Sequence, residues 1–282
     1  MKIGYIITAH TLPDHLVRLV RRLEGDNTRF FVHIDARAAN GIMTAVERDL
    51  GGRSDLQLLP RHRVHWASFS QLRAVLEGVN ALLASPERLD YGVLLTGQDY
   101  PLRAPAIIES TLAAADGRSF IVYRPSTGRF LERITRRHWH TEILGRRVRF
   151  PNSFMPLTVT RTLPPGLVPY NGFGHWCLSR ECLEHAATRG PELTRFFRWA
   201  SSPDESYFQT VLMNSPLADT LVNDDLRYVD WSEGEASPKV LTSFDLERML
   251  RSSALFARKF DPRVDAGVID ALDAHIDGSP EQ

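Results

Sequence analysis

The N-terminal segment commits this chain to a layered α/β fold. Ile3-Gly-Tyr-Ile-Ile-Thr8 is an apolar run of strand length, and Phe30-Phe-Val-His-Ile-Asp35 is a second. Between them Leu12, Leu16, Leu19, Val20 and Leu23 recur at helical spacing behind Thr11 and Pro13. That pattern predicts a helix with one buried stripe. Two buried strands joined by an amphipathic helix form a β-α-β unit and therefore a parallel sheet. A strand near Leu56 to Leu59, a helix from about Ser68 to Leu83 and a strand at Tyr91 to Leu95 extend the unit into a doubly wound half.

With 282 residues, 43% of them hydrophobic, the chain is large enough to bury the core of one α/β domain spanning residues 1–282. Residues 1–125 form the regular half. Ser119 to Tyr123 predicts one more strand near its end; in residues 126–282 order is harder to read, and Arg129 to Phe150 shows no clean periodicity. Pro151 to Pro169 reads as an extended loop, and strand character returns at His175 to Leu178. Lysine plus arginine and aspartate plus glutamate both number 34, so no global field draws the chain to nucleic acid. Cys177 and Cys182 are too few for a disulfide framework, which favours a reducing compartment. Met1-Lys2 runs directly into the first strand, so no signal peptide is expected, and no apolar run reaches membrane-spanning length. The expectation is a cytoplasmic protein, with peripheral association at the inner membrane face left open.

Leu94-Leu-Thr-Gly-Gln-Asp-Tyr-Pro-Leu102 carries the clearest chemical signal. An apolar strand runs into a polar turn at the position where open α/β sheets bind ligands. Gly97 permits tight geometry, and Pro101 argues against further pairing, which predicts Asp99 on a loop. As an isolated residue Asp99 would bond its own backbone. Asp35 ends the second strand on the same sheet edge as Thr8 and His10, where a carboxylate either holds a ribose or base or caps a turn. No Gly-x-Gly-x-x-Gly follows the first strand; Thr8-Ala-His10 stands there instead, which disfavours a dinucleotide site.

Three further groups stay open between structural and chemical roles. Ser202-Pro-Asp-Glu205 fits a capping box with proline at the first helical position, yet Glu205 at a helix start could also serve as a general base. Phe256-Ala-Arg-Lys-Phe260 sets two cations between aromatic anchors, with Lys239 earlier in the strand-like Pro238 to Leu241. Such cations either face solvent or hold a diphosphate. Asp-x-Asp, expected of a metal-chelating nucleotide-sugar site, occurs nowhere; Asp224-Asp225 and Asp245-x-Glu247 lack its geometry. His138 and His140 lack a third ligand in sequence, so no metal is expected.

Together, Tyr5-Ile-Ile-Thr-Ala-His10, Val32-His-Ile-Asp35, Leu95-Thr-Gly-Gln-Asp-Tyr-Pro-Leu102, Pro203-Asp-Glu205 and Phe256-Ala-Arg-Lys-Phe260 resemble the core-2/I-branching glycosyltransferases, family 14, which include the peptide O-xylosyltransferases. The segments run in the family's order from residue 3 to about residue 262. The resemblance implies a GT-A-type fold and inverting transfer of a sugar from a UDP donor, with no metal and no other cofactor. It implies Glu205 as general base and Arg258 with Lys259 as diphosphate clamp, Lys239 being a weaker second contact. Asp35 would lie near uridine and Asp99 near the donor sugar, with Thr8 and His10 on the same donor side. Trp231 and Asp204 would face the acceptor. The expected partners are a UDP-sugar, foremost UDP-GlcNAc for β-1,6 branching, and a glycan, glycolipid or peptide acceptor. UDP-xylose transfer to peptide and a silent sugar-nucleotide-binding relative are the alternatives.

Overall fold

The computed structural model describes residues 1–136, 141–143, 146–148 and 159–278. Strand β1 (Ile3–Ala9) leads through helix α1 (Pro13–Arg22) to β2 (Thr28–Ile34). Helix α2 (Asn40–Leu50), β3 (Leu56–Leu58), α3 (Phe69–Leu83) and β4 (Tyr91–Thr96) follow. These four strands are all parallel: β1 pairs with both β2 and β4, and β2 with β3. β5 (Asp99–Pro101), helix α4 (Pro105–Ala114), β6 (Ser119–Ile121) and helix α5 (Gly128–Thr135) come next, then β7 (Trp176–Ser179), helix α6 (Arg180–Thr188) and helix α7 (Gly190–Phe197). Helix α8 (Tyr207–Met213) precedes β8 (Leu221–Val222), β9 (Arg227–Val229), helix α9 (Leu246–Arg251), β10 (Phe256–Arg258) and helix α10 (Gly267–Gly278). The main sheet has seven strands in the order β8-β6-β7-β4-β1-β2-β3, and only β7 runs against its neighbours.

Both faces of this sheet are covered, which is why its strands read as continuous apolar runs. Tyr5, Ile7, Phe30, Val32, Val93 and Leu95 face one core with α1, α2, α4 and α10. Ile6, Phe31 and Leu94, alternating with them, face a second core built on α3, α6 and α8. Helix α3 lies close to the sheet because glycines face it. A Cβ on Gly4 would come within 2.5 Å of Leu82, one on Gly92 within 3.1 Å of Leu82 and within 2.7 Å of Leu183 on α6, and one on Gly78 of the helix itself within 2.4 Å of Ile6.

A second sheet, β9-β10-β5, corrects the expectation that Asp99 sits on a free loop. β5 pairs antiparallel with β10, setting Arg258 opposite Asp99 and Phe256 opposite Pro101. Pro101 is tolerated because β5 is an edge strand. The two motifs singled out in sequence are therefore neighbouring strands. Other expectations also change. Residues 238–241 are not a strand: they are held by single bonds, Lys239 N to Asp230 O at 2.9 Å and Leu241 N to Lys259 O at 2.9 Å. Helix α5 stands where no periodicity was legible, and Asp224-Asp225 lie between β8 and β9. Ser202 adopts a left-handed conformation (φ 47°, ψ 55°) and its side chain caps nothing, so no capping box forms. Pro203–Glu205 is a single 3₁₀ turn, and α8 begins only at Tyr207. Cys177 and Cys182 are buried free thiols. Of the Pro-rich loop, residues 151–158 lie outside the described residues, as do His138 and His140. No helix among the described residues is long and apolar enough to cross a membrane.

Candidate active site

The parallel strands end at a cavity of about 530 Å³, within the ~300–1,000 Å³ usual for small-molecule sites. Thr8 and Ala9 from β1, His33 and Asp35 from the end of β2, and Thr96 and Gly97 after β4 form its floor. Gly97 lets the chain turn tightly there: its N–H donates to Thr8 O at 2.9 Å, and a Cβ would lie 3.0 Å from that of Ala9. His10 is exposed on the rim. Asp35 is buried and takes the turn role open in sequence, its Oδ1 accepting from Arg37 N at 2.8 Å. Its carboxylate also pairs with the Arg37 guanidinium at 3.0 Å and accepts from Val64 N at 3.3 Å, while still lining the cavity.

One wall is basic. Arg258 and Lys259 line it, at the end of β10. Asp99 is 0% exposed and does not line the cavity; its carboxylate accepts from Thr96 N at 2.9 Å and Thr96 Oγ1 at 2.8 Å and lies 3.3 Å from Arg258 Nε. His175 accepts from Arg258 Nη1 at 3.0 Å. Burial, with the Arg258 and Arg227 cations beside it, drives the His175 imidazole well below its ordinary pKa, so the ring is neutral and free to accept. Arg258 is thus fixed from two sides. Lys259 donates to Ser237 Oγ at 2.6 Å. Lys239 is absent from the lining: its ammonium is 2.7 Å from Asp245 and 4.0 Å from Asp230.

A second wall is acidic. Asp204 and Glu205, in the 3₁₀ turn, both line the cavity. Glu205 Oε2 accepts from Arg133 Nη1 of α5 at 3.1 Å. Burial raises its pKa, and Arg133 and Arg124 oppose the rise. Asp204 Oδ2 accepts from Gln71 Nε2 of α3 at 2.8 Å, while Oδ1 is buried with no partner. Burial, then the neighbouring Glu205 charge, pushes Asp204 up to about 7. Gly174 permits the close approach, since a Cβ there would be 3.2 Å from Asp204 Oδ2. Beside this pair Trp231 stacks on Phe173 (centroids 6.3 Å apart, planes at 13°), both rings lining the cavity and both more than a third exposed.

The structure therefore gathers Thr8, His10, Asp35, Asp204, Glu205, Trp231, Arg258 and Lys259 around one space, and places Asp99 and Lys239 behind it. Phe173, His175, Gln71 and Arg133 were not legible as site residues, since nothing in their local sequence marks them. Trp66, 67% exposed in the lining, was likewise missed. Among the histidines, His33 and His62 converge with Glu77, a set that sequence spacing does not suggest.

Xylosyltransferase 2 of Rattus norvegicus is 27% identical over 302 aligned residues, and that of Homo sapiens 28%; each alignment covers 99% of this chain and 34% of the relative. The chain spans about a third of the length of these relatives. The crystal structure of the galactosyltransferase LgtC with donor and acceptor sugar analogs aligns over 99% of this chain and 98% of its own, at 10% identity and a TM-score of 0.43, a likeness too weak to argue from. The family model described as core-2/I-branching enzyme matches residues 3–250, and by that match the chain belongs to the core-2/I-branching enzyme family.

Proposed function

We propose that this protein is an inverting glycosyltransferase that moves a sugar from a UDP donor to an acceptor hydroxyl with no metal at the diphosphate. One observation carries the reading: a single cavity is lined both by the carboxylates of Asp204 and Glu205 and by the cations of Arg258 and Lys259. Inverting displacement needs these two features. A base takes the proton of the incoming hydroxyl while that hydroxyl's oxygen bonds to the anomeric carbon; the bond from that carbon to the diphosphate breaks, its electron pair goes to the leaving diphosphate oxygen, and fixed positive charge stabilises the anion. Family membership supports the same chemistry.

In this account Glu205 is the base, its carboxylate oriented by Arg133. Arg258 meets the diphosphate as a bidentate fork and Lys259 as a point charge. Asp99 and His175 act through Arg258 as positioning residues. Asp35, with Thr8 and His10, serves the donor side, and the Trp231-Phe173 stack with Asp204 offers an acceptor sugar an apolar face and a hydrogen-bond acceptor. The donor we infer first is UDP-GlcNAc, for β-1,6 branching of a glycan or glycolipid. A second reading, UDP-xylose transfer to a peptide hydroxyl, is favoured by the names of the xylosyltransferase relatives.

The test is transfer from labelled UDP-GlcNAc and UDP-xylose to glycan and peptide acceptor panels by wild type and Glu205→Gln. The substitution should lower turnover by about 10²–10⁴-fold or more and leave UDP affinity within a few fold. Undiminished turnover would remove Glu205 from the mechanism.

A further inference from the structure

Next to the donor side of the cavity, three side chains from β2, α3 and the segment between β3 and α3 bring ligand atoms together. His33 Nε2 at the end of β2 lies 3.2 Å from His62 Nδ1, and His62 Nδ1 lies 3.2 Å from Glu77 Oε2 of α3. All three ligand atoms fall within 4.8 Å of each other. The proton inventory excludes an ordinary hydrogen-bonded cluster of neutral rings. His62 Nε2 is 3.0 Å from the Ser70 carbonyl oxygen, which only accepts, so Nε2 carries the ring proton and Nδ1 offers a lone pair. The His62 backbone N–H points at His33 Nε2 at 3.4 Å, so that nitrogen also offers a lone pair. Glu77 Oε2 is buried with no hydrogen-bond partner.

A second proton on His62 would answer Glu77 Oε2 at 3.2 Å and leave His33 Nε2 with only the long 3.4 Å contact from the His62 backbone N–H, whereas a metal ion draws all three lone pairs to one centre. A tetrahedral ion with bonds of about 2.0–2.1 Å sets neighbouring ligand atoms roughly 3.3–3.4 Å apart, close to the two 3.2 Å separations at His62, with the third pair within 4.8 Å. Outer contacts of the kind metal ligands use are also in place: the Ser70 carbonyl fixes His62, and Arg73 Nε donates to Glu77 Oε1 at 2.9 Å. Two imidazoles with one carboxylate suit a borderline ion such as Zn²⁺ rather than Mg²⁺ or Ca²⁺.

We propose that His33, His62 and Glu77 are the protein ligands of a divalent transition-metal site of the zinc class, with a fourth position left to solvent. The ion would tie β2 and α3 to the segment between β3 and α3. In that segment Val64 and Trp66 line the cavity, and the Val64 N–H holds Asp35. The role is structural, and it is separate from the cations that face the diphosphate.

The test uses tag-free protein stripped with EDTA and dialysed, titrated with Zn²⁺ by calorimetry and with Co²⁺ by visible absorbance. Wild type should bind one equivalent of Zn²⁺, give the intense visible bands of four-coordinate Co²⁺, and unfold at higher temperature with Zn²⁺ than without. His62→Ala and the nearly isosteric Glu77→Gln, each checked to unfold cooperatively without metal, should each weaken Zn²⁺ binding by at least about tenfold. The proposal is overturned if wild type binds no stoichiometric Zn²⁺, or if Glu77→Gln binds it as tightly as wild type.

Discussion

Asp204 shows how much one residue's surroundings decide. Its carboxyl is buried, with one oxygen held by Gln71 and the other unpartnered, and it sits beside a second carboxylate. Its pKa therefore rises from 3.8 to about 7, and the folded state holds a proton that the unfolded chain has released. Stability from this group is present below the unfolded value and is lost as pH rises through the folded one. Asp204→Asn keeps the oxygen that Gln71 needs and cannot ionise. Its urea midpoint relative to wild type should therefore improve between about pH 4 and about pH 8, and parallel pH profiles would contradict the assignment. Glu205 was legible beside it because Pro203-Asp-Glu205 is a motif. The pKa of Asp204 was not legible, because it depends on Gln71 and Gly174, which the fold brings in from far along the chain.

At the scale of elements, the parallel half could be read because its strands are buried on both faces and its helices carry one apolar stripe. Helix α3 was predicted to within a residue. What could not be read was pairing between distant short segments. β5 and β10 are three residues each, too short for periodicity to register, yet their pairing is what sets Arg258 against Asp99. Ser202-Pro-Asp-Glu205 misled for a related reason: a local pattern predicts a capped helix, but Ser202 takes a left-handed conformation and the turn stops after Glu205. The close seat of α3 is testable. A Cβ on Gly78 would lie 2.4 Å from Ile6 Cγ2, on a buried, branched side chain with no free end to move aside. Overpacking should outweigh the better helix propensity, so Gly78→Ala should destabilise by on the order of 1–2 kcal/mol in urea unfolding. Gly41→Ala, with open space around it, should be neutral or slightly stabilising. Equal effects of the two would mean that α3 does not pack this tightly.

The whole molecule works as a frame that brings two ends of the chain together. The first half supplies the floor through Thr8, Asp35 and Thr96, while the second half brings an acidic wall at Glu205 and a basic wall at Arg258. In the proposed reaction the basic wall binds the diphosphate of a UDP-sugar without a metal. Calorimetric titration of EDTA-treated protein with UDP, UDP-GlcNAc and UDP-xylose tests it directly, in wild type and in the Arg258→Ala/Lys259→Ala double variant. The account predicts one-site binding by wild type in EDTA, weakened in the double variant by more than about tenfold, the loss of at least one charge-assisted contact. Binding that appears only when Mn²⁺ is added, or that is the same in both proteins, would contradict it.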